Sequence, residues 1–195
     1  MEKEELMILL LKLMKKNNIK AIIFDLDDTL YPEEQFVESG FRIVSKYISQ
    51  KYKLNDGEVL NILKKDFKKG LRKKNFDVLL KKLNLKKINV QKLIKIYRNH
   101  YPSSIFLYPD VKKIFKKIKN KFKIGLITDG EKITQKNKIF VLGIEKYFDE
   151  ILITSILGKK YFKPSKKAFE LLLKKFKVLP KESVYIGDNS LKDFI

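Results

Sequence analysis

Cysteine is absent from this 195-residue chain, which excludes disulfides and thiolate chemistry and suits a reducing compartment. Histidine occurs once, at His100, and is read as a cap or hinge residue at the surface rather than a catalyst. Long apolar runs are also lacking. Near the start the longest, Leu6–Leu11, follows acids and is too short to span a bilayer. No signal peptide and no internal repeat are evident, so a cytoplasmic protein without membrane contact is expected. Arginine is scarce as well, being confined to Arg42, Arg72 and Arg98.

What is abundant is lysine. Lysine and arginine together number 44 against 23 acids, a formal net charge of +21. Such a balance raises the question of nucleic-acid binding. Phosphate and base recognition favours the arginine fork, however, and arginine is what the chain lacks. The lysines are spread over almost every expected helix, which reads as a solvated surface. A nucleic-acid partner is therefore not expected, although anionic substrates should be attracted in a salt-dependent way.

Hydrophobic residues make up 44% of the chain, enough for a core, and the length suits one domain carrying an insertion. Residues 2–17 read as a helix, with Glu2, Glu4 and Glu5 first and Lys12, Lys15 and Lys16 last, an order that complements the helix dipole. This extension, residues 1–18, packs on the core by default; partner binding or self-association through it is the alternative. Ala21, Ile22, Ile23 and Phe24 form an apolar run of strand type. Pro32 then suits the first turn of a helix, and from Glu33 to about Asn99 the spacing is helical, with breaks at Asn55-Asp56-Gly57, Gly70 and Asn84–Asn89. Phe36, Gly40, Ile43, Val44, Tyr47 and Ile48 make one stripe of this segment.

Strand–helix alternation resumes beyond Tyr101. Val111, Ile114, Phe115 and Ile118 share a helix face. Strands are expected at Phe122–Thr128, Glu150–Ser155 and Ser183–Gly187, with helices over 131–142, stopped by Gly143, and 165–176. Short links between alternating elements imply an α/β fold with a doubly wound parallel sheet. The layout is an α/β core from 19–31 and 106–195, interrupted by a helical insertion over 32–105.

Chemistry-bearing residues fall where these strands end. Asp25, Asp27 and Asp28 crowd the carboxyl end of the first strand, Thr128 ends the second, and Gly187-Asp188-Asn189 ends the fourth. Lys163 precedes Pro164 and the start of a helix. In open α/β sheets ligands bind outside such strand ends. Crowded carboxylates call for a hard cation such as Mg²⁺, and one of them could act as nucleophile while another moves a proton. Taken singly, each has an ordinary alternative: an acidic turn, a strand-end threonine, a surface lysine, a loop aspartate. Asp28 is read as a turn residue.

In that order and spacing the residues resemble the haloacid dehalogenase superfamily of aspartate-nucleophile phosphohydrolases, with its Rossmann-like core. Asp25-Leu26-Asp27-Asp28-Thr29 matches the first motif, Thr128 the second, Lys163-Pro164 the third, and Gly187-Asp188-Asn189-Ser190-Leu191-Lys192-Asp193 the fourth. The resemblance implies a phosphatase with Asp25 as nucleophile and Asp27 as general acid/base. It places Mg²⁺ on Asp25, the Asp27 backbone carbonyl and Asp188, supported by Asp193, with Thr128 and Lys163 on the phosphoryl oxygens. It also makes 32–105 a helical cap, which implies a small phosphorylated metabolite such as a sugar phosphate or nucleotide. Arg42, Tyr47, Arg72 or Arg98 would face it.

Two departures qualify this expectation. Asp129 stands where many relatives carry asparagine; it adds negative charge or caps the following helix. Relatives also continue past the fourth motif with a helix and a strand. On that resemblance a C-terminal strand is missing here, leaving Val184–Ile186 on an open edge prone to association and the activity in doubt. A phosphomutase, a truncated inactive chain serving as a binding or regulatory subunit, and a basic nucleic-acid binder on this scaffold are the competing readings.

Overall fold

Apolar runs without polar interruption are stable only where both faces of a strand are covered. The computed structural model describes residues 18–193 except 73, and in it the run after Lys20 becomes such a strand. β1 (Ala21–Phe24) is buried along its whole length. It pairs in parallel with β2 (Lys123–Thr128) on one side and β4 (Ser183–Ile186) on the other, and β3 (Glu150–Ile153) completes the order β3-β2-β1-β4. The helix expected over 2–17 lies outside the described residues. So does whatever follows Asp193.

The alternation of side chains across a strand sorts the core into two layers. Ile23 and Ile127 point to one face, where Leu152 and helix α8 (Lys167–Phe176) meet them through Ala168, Leu172 and Leu173. Phe24 points to the other face. There Phe115 of helix α5 (Val111–Ile118) meets it edge-on at 5.4 Å and stacks on Tyr147 at 4.8 Å. Helices on both faces make the sheet doubly wound, as the sequence alternation implies.

Helices α1 (Glu33–Tyr52), α2 (Asp56–Lys68), α3 (Asn75–Lys82) and α4 (Val90–Asn99) lie between β1 and α5. They form a separate compact unit, Glu33–Ile105, distinct from the α/β unit built of the chain up to Pro32 and from Phe106. Val37, Phe41, Val44, Ile48, Leu63, Leu79 and Leu93 are among the residues of its own core. Asn55 and Asn89 cap α2 and α4 by accepting from Glu58 and Gln91 backbone N–H groups, so two of the expected breaks are helix starts. Ile43, read as part of the buried stripe, is 42% exposed.

Three expectations need correction. Strand β3 stops at Ile153, not Ser155, because helix α7 (Thr154–Leu157) turns the chain away at once. His100 is buried, not at the surface. It ends α4, packs 4.6 Å from Phe36, and its Nδ1–H donates to the Tyr97 carbonyl at 2.5 Å. Asp129 does not cap helix α6 (Lys132–Leu142), whose N-cap residue is Glu131. Gly143 does end α6, at φ 62° in the left-handed region, with its N–H returned to Ile139 and Phe140 carbonyls as such caps require. Among the described residues no helix is long and apolar enough to cross a membrane.

Leu172 is fully buried between α8 and the sheet. Leu172→Ala should cost about 3 kcal/mol, from lost transfer free energy and the cavity left behind. Urea unfolding that returns a loss of less than about 1 kcal/mol would mean this interface does not hold the sheet.

Candidate active site

Because β1 is central and its neighbours run parallel to it, the residues just past their ends meet at one rim. The Asp25 N–H donates to the Ile186 carbonyl at 2.9 Å, fixing the first of them against β4. Lys163, a surface lysine on its ordinary reading, is buried. Its Nζ lies 2.9 Å from Asp25 Oδ1 and 2.7 Å from Asp193 Oδ1, and donates to the Tyr185 hydroxyl at 3.0 Å. Asp193 is fixed as well. Oδ1 accepts from Lys163 and the Tyr185 hydroxyl, and Oδ2 accepts from the Asn189 N–H at 2.9 Å. A Cβ at position 187 would lie 2.4 Å from Asp193 Oδ2, so glycine at 187 is what lets the fourth-motif loop close on this carboxylate.

The electrostatics follow from burial. It pushes the Asp25 carboxyl up to about 6 from the ordinary 3.8, against the pull of Lys163 and the Leu26 N–H and with a further push from Asp193. Burial opposes the Lys163 charge too, yet Asp25 and Asp193 outweigh it and hold the ammonium above the ordinary lysine value. For Asp193 the hydrogen bond from Lys163 and that from the Asn189 N–H outweigh burial, so its carboxyl stays low. Tyr185 is pushed well up by burial and by the carboxylates around it.

Asp27 belongs to a second knot of polar groups. Its Oδ1 accepts from the Tyr31 hydroxyl at 2.6 Å and Lys138 Nζ at 2.7 Å, and its Oδ2 from Gln135 Nε2 at 3.0 Å. The same Gln135 nitrogen donates to Thr128 Oγ1 at 2.6 Å. Burial alone would raise the Asp27 carboxyl; Lys138, Tyr31 and Gln135 together keep it below its ordinary range. Asp129 ties the end of β2 to helix α7 and to the loop that carries Lys163. It accepts from the Thr154 hydroxyl at 2.6 Å and from the Lys163 N–H at 3.2 Å, which positions the backbone of the buried lysine.

Asp25, Lys163 and Asp193 are thus in direct contact, and Asp27 and Thr128 are joined through Gln135. Asp188 is exposed, accepts from the Thr29 hydroxyl at 3.4 Å, and places a carboxylate oxygen within 4.8 Å of those of Asp25 and Asp193. Such a set of hard oxygen donors, two buried and one facing solvent, fits Mg²⁺ by its chemistry. Asp28 is a turn residue with φ 53°, as read from the sequence. Arg42 and Arg72 pair with Glu38 and Glu33 inside the helical unit. Sequence reasoning missed Tyr31, Gln135, Lys138 and Tyr185. The available signal lay in α6, whose buried residues include Thr134, Gln135, Asn137 and Lys138, a polar inner face that apolar packing does not explain.

Residues 19–193 match the family of haloacid dehalogenase-like hydrolases. The chain belongs to that family. It is 37% identical over 182 residues to the glyceraldehyde 3-phosphate phosphatase of Methanocaldococcus jannaschii, covering 90% of this chain and 78% of that one. The enzyme of the same name from Methanopyrus kandleri is 30% identical over 183 residues, with the same shares of each chain. In fold, the crystal structure of a HAD phosphatase from Thermococcus onnurineus superposes with a TM-score of 0.59 at 24% identity, covering 90% of this chain and 80% of that one. Its relatives place the chain among the phosphatases of the family, hydrolases of phosphoric monoesters.

Removing the Asp25 charge should stabilise the metal-free protein, because Lys163 keeps Asp193 as its partner. A carboxyl with a raised folded-state value costs stability above that value and nothing below the unfolded one. Asp25→Asn should therefore gain on the order of 2 kcal/mol near pH 7.5 in EDTA, shrinking towards zero near pH 4. Thermal unfolding of both proteins across that range checks this; a constant difference would mean the buried charge is not its source.

Proposed function

We propose that the chain hydrolyses a small phosphate monoester through an aspartyl-phosphate on Asp25. The observation that supports this most is the buried Asp25 carboxyl held 2.9 Å from Lys163 Nζ at the rim where β1 ends. In the first step an Asp25 oxygen forms a bond to phosphorus while the bond to the leaving oxygen breaks. Asp27 gives that oxygen its proton, releasing an alcohol. Water then attacks phosphorus, Asp27 takes its proton, and the bond to Asp25 breaks, releasing inorganic phosphate and restoring both carboxyl groups. Lys163 and Thr128 bind the phosphoryl oxygens throughout.

Asp25, the Asp27 carbonyl and Asp188 would hold Mg²⁺. Both Asp193 oxygens already accept hydrogen bonds, which suits it to supporting these ligands. When bound, the cation offsets negative charge on the transferring group. By resemblance the helical unit Glu33–Ile105 is the cap that selects the substrate. The relatives from Methanocaldococcus jannaschii and Methanopyrus kandleri are glyceraldehyde 3-phosphate phosphatases, so a three-carbon phosphorylated aldehyde is the first substrate to test, ahead of nucleotides.

Inorganic phosphate should be released from glyceraldehyde 3-phosphate only with Mg²⁺. Asp25→Asn should lower kcat at least about 1,000-fold, as expected when a nucleophile is removed. Turnover that survives EDTA or this substitution would defeat the reading. Faster release from nucleoside monophosphates would defeat only the choice of substrate.

A further inference from the structure

The polar inner face of α6 has no role in the chemistry set out above. Lys138 is 3% exposed and Gln135 is 1% exposed, yet neither supports a hydrophobic core. Both point at Asp27, where they and Tyr31 fill both carboxylate oxygens. The Gln135 amide is oriented by its contacts: Nε2, not Oε1, faces Asp27 Oδ2 and Thr128 Oγ1. That amide nitrogen has two hydrogens and spends them on Asp27 Oδ2 at 3.0 Å and Thr128 Oγ1 at 2.6 Å. Thr128 Oγ1 is thereby an acceptor towards Gln135, and its own hydrogen is left to point elsewhere.

Space is made for this arrangement. Gly130 sits at φ 135°, where side chains are strained, and a Cβ there would lie 3.0–3.2 Å from the Gln135 side chain. The turn between β2 and α6 is shaped to admit the amide. We infer that Gln135 and Lys138 are positioning residues: they aim the Asp27 carboxyl at the leaving oxygen and, through Gln135, turn the Thr128 hydroxyl hydrogen towards the phosphoryl group. This rests on the proposed role of Asp27.

The leaving group separates positioning from mere structural support. p-Nitrophenolate departs without help, whereas an alkoxide needs a proton as it leaves, and kcat/KM reports the steps through that departure. For Lys138→Met and Gln135→Leu, kcat/KM should fall about 100-fold with glycerol phosphate but less than about 5-fold with p-nitrophenyl phosphate, the pattern of a lost general acid. Asp27→Asn serves as the benchmark for that pattern. Lys138→Arg should recover most of the loss, and Gln135→Glu, which turns an acceptor towards Asp27, should not. Equal losses with both substrates, in protein whose thermal unfolding is unchanged, would overturn the inference and leave the phosphatase reading intact. An unaltered chain that turns over neither substrate with Mg²⁺ would overturn both.

Discussion

A single buried ammonium organises the rim of the sheet. Lys163 lies between Asp25 and Asp193 at 2.9 and 2.7 Å. Without it two buried carboxylates would face each other uncompensated, at a cost of several kcal/mol. With it, three chain segments far apart in sequence are tied together: the end of β1, the loop before α8, and the short helix α9 (Ser190–Asp193) after β4. Asp129 supplies a fourth tie by holding the Lys163 backbone. The compensation is incomplete, since burial still pushes Asp25 up to about 6. Such a carboxyl is less stable than it need be, a form of stored cost usual where function requires a charge.

The second knot divides the labour between the two aspartates. Asp25 and Asp27 are two residues apart, but Asp25 is held by one cation it shares with Asp193, while Asp27 is gripped by Tyr31, Gln135 and Lys138. Their surroundings push their titration in opposite directions. Groups of like chemistry in opposed environments can take different roles in one reaction. The helix α6 gives up apolar packing on its inner face to achieve this, and the apolar contacts of α5 and α8 carry the sheet instead.

Much of this was legible in order along the chain. The apolar run ending in Asp25-Leu26-Asp27 announced a buried strand, because no polar residue interrupts it. Gly143 announced the end of α6, because only a left-handed residue lets the last carbonyls be satisfied there. Asn55 and Asn89 stood where helices begin. The end of β3 was not legible: Thr154 and Ser155 suit a strand, and the partners of the Thr154 hydroxyl, the Asp129 carboxylate and the Thr128 carbonyl, come from a distant part of the chain. His100 misled for a related reason. A lone polar residue after a helix reads as exposed, and its burial depends on Phe36 from α1, sixty-four positions earlier.

What the sequence determined alone was therefore the local and periodic part: which segments are strands or helices, their parallel arrangement, and the residues Asp25, Asp27, Thr128, Lys163, Asp188 and Asp193 at the segment ends. Periodicity and strand-end position are properties of neighbouring residues, and a linear text preserves them. Tertiary structure alone decided which charge meets which. That Lys163 and Lys138 are buried among so many lysines, that Asp129 holds Thr154 and the Lys163 backbone instead of capping α6, and that Gln135 joins Asp27 to Thr128 are consequences of distance in space. Burial sets the strength of each charge, and the burial of a charged residue is not written in its own neighbourhood.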